Sequence, residues 1–161
     1  MPVTMKQVLA EIDREEPNYP AFVKLGAGAL PHLQMIVAAE DPLKSAKAAY
    51  AASIIGGAGA VELLRAAAEH HDPQVRIAVA QGLLNLAQAA PTELVMKSLD
   101  DADPGVRKLG LRTAGLLKRP EFAARVAEIE KDDPAEHLRS AAGLATKQLA
   151  PSAPAKKAAP K

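Results

Sequence analysis

Asp72-Pro73-Gln74-Val75-Arg76-Ile77-Ala78-Val79-Ala80-Gln81-Gly82-Leu83-Leu84-Asn85-Leu86 is the stretch on which the fold turns, because recognisable copies of it recur along the chain. The Asp-Pro pair that opens it is found again at Asp41-Pro42, Asp103-Pro104 and Asp133-Pro134, in steps of 31, 31 and 30 residues. A fixed period of that size marks an array of stacked repeats. Each pair also predicts a helix start. The carboxylate can accept amide hydrogens that a first turn leaves without partners, and proline at the first helical position has no amide hydrogen to leave.

Counted from Asp72, apolar or small residues fall at +3 (Val75), +7 (Val79), +8 (Ala80), +11 (Leu83) and +14 (Leu86), one stripe along a helix. Val106, Gly110, Leu111, Ala114 and Leu117 repeat it after Asp103. A shorter stripe precedes each Asp: Leu30, Leu33 and Val37; Val61, Leu64 and Ala68; Val95 and Leu99; Phe122 and Ile129, with Thr92 and Arg125 as departures. Each unit therefore reads as two antiparallel helices, and one such pair cannot hide its apolar faces without neighbours. The expected fold is all-α, an α-solenoid of about four helical hairpins within residues 1–149.

The pattern Asp-Pro-x-Val-Arg, followed by small residues at helical spacing, resembles the second helix of a HEAT repeat, in particular the short bacterial HEAT-like type of bilin lyases. The match is strongest at Asp72 to Leu86 and Asp103 to Leu117, and the resemblance runs roughly from residue 20 to 148. In the first copy Lys44 and Ser45 stand where Val-Arg is expected. In the last, Glu136 and His137 do, although Leu138-Arg139 supplies the pair if that helix starts two residues later. The resemblance implies that Arg76 and Arg107 form a ladder, each reaching carboxylates or carbonyls of an adjoining repeat. Recurrence of Asp and Arg at equivalent sites is what architecture produces, whereas catalysis needs one asymmetric site.

Composition narrows the function classes. The 161 residues make one domain's worth of chain, and 48% hydrophobic content is ample for a core. Aromatics are only 2%, with no Trp, so the interior must be built from Ala, Leu, Val and Ile. Zero Cys excludes disulfides, thiolate metal sites and a cysteine nucleophile. A net charge of +1 gives no global attraction to nucleic acid or anionic membrane. Neither a signal peptide nor a run of about 20 apolar residues is evident, so a cytoplasmic location is expected.

Thr4 and Gln7 have capping-box spacing, and Met5, Val8, Leu9 and Ile12 form the stripe of a first helix. Pro17 and Pro20 interrupt the chain before a short helix at 21–25, and residues 1–25 are expected to cap the open end of the stack. Gly26-Ala27-Gly28 and Gly57-Ala58-Gly59 are 31 apart and read as inter-repeat turns. They are not phosphate loops, since no strand precedes them and the third glycine is missing. Helices are predicted at about 29–39, 42–55, 60–70, 73–88, 91–100, 104–118, 120–131 and 134–149. Residues 150–161, rich in Ala, Pro and Lys, have nothing to bury and are expected to be disordered.

His70-His71 is not read as a metal site, because adjacent helical residues point about 100° apart. His-Glu-x-x-His, Gly-x-Ser-x-Gly and Walker motifs are missing, so no catalytic residue, metal or cofactor is expected. What remains is the face of each second helix opposite its stripe, which in HEAT-like stacks lines the inner, concave surface. It holds Ala46, Lys47, Tyr50 and Ile54; Ile77, Ala78, Gln81 and Asn85; Lys108, Leu109, Arg112 and Leu116; Leu138, Arg139, Ala142 and Thr146. Apolar residues mixed with cations suit a protein or peptide that brings hydrophobic anchors and acidic groups. The expected function is a non-catalytic scaffold or adaptor. The site residues are Lys47, Tyr50, Ile54, Ile77, Gln81, Asn85, Lys108, Leu109, Arg112, Leu116 and Arg139. Two other readings follow from the resemblance alone: nucleic-acid binding, and an accessory role to an enzyme of bilin-lyase type.

Overall fold

A computed structural model describes residues 1–151. All regular structure among them is helical: α1 (Met5–Ile12), α2 (Tyr19–Leu25), α3 (Leu30–Ala38), α4 (Pro42–Ile55), α5 (Gly57–Ala67), α6 (Pro73–Leu86), α7 (Thr92–Leu99), α8 (Pro104–Leu117), α9 (Ala123–Asp132) and α10 (Glu136–Leu149). Short 3-10 turns at Gly26–Ala29, Ala87–Ala89 and Pro120–Phe122 join α2 to α3, follow α6 and precede α9. The expectation of disorder beyond Pro151 lies outside the described residues.

The hairpins are α3–α4, α5–α6, α7–α8 and α9–α10. Their second helices form one row, with α4 against α6, α6 against α8 and α8 against α10. Among the described residues α4 makes no comparable contact with α10, so the row is open. Both stripes face inward: Val75, Val79, Ala80, Leu83 and Leu86 are buried on α6, and Val106, Gly110, Leu111, Ala114 and Leu117 on α8. The first helices contribute Leu33, Leu64, Leu99, Phe122 and Ile129. Small residues let the row close up. A Cβ built on Gly82 would stand 2.7 Å from the Ser53 Cβ of α4, so α4 and α6 touch almost backbone to backbone.

Three of the four Asp-Pro pairs open helices. Asp41 accepts the amides of Leu43 and Lys44, Asp72 that of Gln74, and Asp103 those of Gly105 and Val106, at 2.7–3.2 Å. Asp133 does not: it ends α9, and α10 begins at Glu136 behind Ala135. Its carboxylate accepts the Ala135 amide at 3.0 Å, as the Asp101 carboxylate accepts the Asp103 amide at 2.9 Å. Asp133 is thus the counterpart of Asp101, and the last repeat runs two residues later than the Asp-Pro signal implied.

The Thr4 capping box forms, and Val8 and Ile12 of α1 are fully buried. Turns between repeats use left-handed backbone at Gly26 (φ 63°), Gly56 (φ 74°) and Gly57 (φ 82°), and at Ala87 (φ 51°) and Lys118 (φ 55°), where no glycine is present. Ala58 and Gly59, expected in the turn, belong to α5. One expectation is corrected. The 20 residues Tyr19–Ala38, of mean hydropathy 1.3, are long and apolar enough by length and composition to cross a membrane. Here they bend at Gly26, and Phe22, Ala29, Leu30, Leu33, Ile36 and Val37 enter the core.

Candidate functional site

Two kinds of recurring polar arrangement occupy the stack, and only one leaves side chains available to a ligand. The first is the arginine ladder. Arg76 forms two hydrogen bonds to Asp101, at 2.8 and 3.0 Å, and donates to the carbonyls of His70 and His71. Arg107 repeats this one unit on, with Asp133 at 2.8 and 3.1 Å and the carbonyls of Asp101 and Ala102. Burial works to raise the Asp101 and Asp133 carboxyls. The arginines and the amides of Asp103 and Ala135 outweigh it, so both lie below the usual carboxylate value.

The ladder departs from its pattern on both sides of one junction. Ser45 stands where the arginine would be, fully buried, its hydroxyl within 3.3 Å of the carbonyls of Ile36, Val37 and Ala39. His70 stands where the acid would be and accepts the Asp72 amide through Nδ1 at 3.0 Å. With the arginine gone, the acid is gone too. His70 and His71 stack with ring centroids 4.5 Å apart. All of these groups are engaged within the stack.

The second arrangement is the exposed face of the row α4, α6, α8 and α10, which carries two hollows. One, of about 540 Å³, lies between α8 and α10 and is lined by Lys108, Leu109, Arg112, Leu116, Leu144 and Gln148, with Leu111 and Ala141. Leu116 and Leu144 are 55% and 60% exposed, a large apolar display for residues held by two packed helices. Among the described residues neither Lys108 nor Arg112 has a carboxylate within ion-pair distance. The other hollow, of about 420 Å³, lies between α4 and α6 beside α2, lined by Tyr19, Leu43, Tyr50, Gln74, Ile77 and Gln81 with Ala46, Lys47 and Ala78. Tyr19 and Tyr50 meet edge to face at 4.7 Å. Burial, and then the neighbouring Tyr50, push the Tyr19 phenol above its ordinary value.

The residues expected on this face fall into three groups. Lys108, Leu109, Arg112 and Leu116 come together in the first hollow, and Tyr50, Ile77 and Gln81 in the second. Lys47 borders the second, but its ammonium donates to the carbonyls of Ile12 and Arg14 at 3.3 and 2.8 Å, closing the end of α1. Ile54 is half-buried at the end of α4 and lines neither hollow, and Asn85 donates to the Ser53 hydroxyl at 2.9 Å. Arg139 is corrected: it occupies the ladder position of α10 and donates to the Asp133 carbonyl at 2.6 Å. Leu138 and Ala142 are buried rather than displayed, Ala78 is buried but for the edge it presents to the second hollow, and Thr146 hydrogen-bonds Glu130 at 2.7 Å.

The two-residue shift at Ala135 explains the error in α10. Moved by that shift, the face residues become Ser140, Ala141, Leu144 and Gln148, and the last three line the first hollow. The signal was present in the sequence as Leu138-Arg139, matching Val106-Arg107. Tyr19, Leu43 and Gln74 were also missed, since Leu43 and Gln74 lie one turn nearer the helix starts and Tyr19 belongs to the cap.

Comparison with known families finds that residues 62–147 match the family model for HEAT repeats. Comparison with curated proteins returns no match.

Proposed function

The chain belongs to the HEAT-repeat family, and from that premise we propose that it is a non-catalytic interaction module of the cytoplasm. It binds a protein or peptide with apolar anchors and acidic residues along the face of its second helices. One observation carries this reading. Between α8 and α10 an open hollow sets exposed Leu116 and Leu144 beside Lys108 and Arg112, which have no carboxylate partner among the described residues. Apolar surface left open in a folded domain marks contact sites, and charges beside it select the partner's sign. The recurring polar groups elsewhere are taken up in caps and ladder, which supports a structural rather than a catalytic use of them.

The test is a double change, Leu109→Ser with Arg112→Glu, in a pull-down from the source cell. Loss of a partner that wild type retains, with helicity by circular dichroism unchanged, is the expected result. Retained capture would remove the reading. A salt-sensitive gel shift with duplex DNA would favour nucleic-acid binding instead, which near-neutral charge and only two cations unpaired in the hollow among the described residues support poorly.

A further inference from the structure

The two hollows differ in charge, and that difference specifies what fills them. In the hollow between α8 and α10, Lys108 and Arg112 have no carboxylate partner among the described residues. In the hollow between α4 and α6 the one cation among the described residues, Lys47, is drawn away to the carbonyls of Ile12 and Arg14, leaving Tyr19, Tyr50, Gln74 and Gln81 as the polar lining. Apolar walls are present in both, from Leu109, Leu116 and Leu144 in one and from Leu43 and Ile77 in the other. One hollow therefore selects an apolar side chain flanked by carboxylate, and the other an apolar or aromatic side chain without charge.

The spacing decides the form of the ligand. From the groove between α4 and α6 to the groove between α8 and α10 is two helix steps, about 18 Å at typical interaxial distances. Helical anchors three or four residues apart sit only about 5–6 Å apart and would serve one hollow, and a helix reaching both would need anchors about twelve residues apart, a length at which an isolated helix is marginal in water. An extended chain rising about 3.3 Å per residue covers the gap in about six residues, and an even number keeps both anchors on the same side of the strand. We propose that this face binds one extended, acidic peptide segment through two apolar anchors about six residues apart, with the carboxylates clustered at the anchor held between α8 and α10. This rests on the interaction reading given above and names the ligand for it.

The experiment is selection of a random dodecapeptide display library on the immobilised full chain, followed by fluorescence-polarisation titration of the enriched peptides. The expected motif has Asp or Glu beside one apolar residue and a second apolar or aromatic residue about six positions away. Lys108→Glu with Arg112→Glu should weaken binding at least tenfold, and so should Ile77→Glu in the other hollow. Gln81→Trp, which fills that hollow from an exposed position, repeats the test should Ile77→Glu lose helicity. Peptides weakened by the charge reversal but indifferent to both Ile77→Glu and Gln81→Trp would overturn the two-anchor inference and leave the interaction face standing. Peptides indifferent to all these changes, or no enrichment at all, would overturn both.

Discussion

Arg107 and Asp133 meet through two hydrogen bonds while their side chains retain only 11% and 4% of their exposure. Removing one partner of such a pair strands the other charge, at a cost of roughly 3 kcal/mol. Asp133→Asn should therefore lower the unfolding free energy by about that much at pH 7, read by urea denaturation. The pH dependence follows from the depressed carboxyls of Asp101 and Asp133. Their contribution is complete above the unfolded carboxylate value of about 4 and is lost as pH falls through the lower folded values. The deficit of Asp133→Asn relative to wild type should thus shrink at pH 3; a deficit that stays constant would show that the pair adds nothing of its own. Arg76 and Arg107 were legible as ladder residues because they recur with the period. Ser45 was legible too, as the missing arginine of the first copy, but His70 was not legible as the missing acid, because the acid's place two residues before the cap emerges only from the pairing of Arg76 with Asp101.

At the scale of the element, the apolar stripe and the Asp cap account for α4, α6 and α8 almost to the residue, because one local signal starts each and one periodicity continues it. The same logic misplaced the start of α10. Proline there follows the ladder acid directly, so Asp133-Pro134 copies the cap signal in a position where Asp101 has no proline. Helix ends were harder to read, as left-handed turns at Ala87 and Lys118 carry none of the glycine that marked the turns at Gly26 and Gly57. Lys118, at φ 55° and ψ 35°, holds a conformation that costs a side chain about 1 kcal/mol. Lys118→Gly should raise stability by a similar amount in thermal unfolding; no gain would mean that the turn is not left-handed in solution. Gly82→Ala should do the opposite despite a better helix propensity. Its methyl would meet Ser53 of α4 at 2.7 Å and force the row apart, costing roughly 1–3 kcal/mol.

For the whole molecule, the open row of second helices follows from a repeat that buries one face of each hairpin against the next. That row was legible, since period and stripe together fix which sides meet. What its free face offers was only half legible. The availability of Lys108 and Arg112 and the withdrawal of Lys47 toward α1 depend on contacts between segments far apart in the chain. The central claim is that ligands are held on this face, and amide chemical-shift mapping of the isotope-labelled full chain tests it most directly, using the tightest peptide from the library selection. The account predicts perturbations centred on Lys108, Leu109, Arg112, Leu116 and Leu144, extending across α6 to Ile77 and Gln81. Perturbations confined to the first helices α3, α5, α7 and α9 would contradict it.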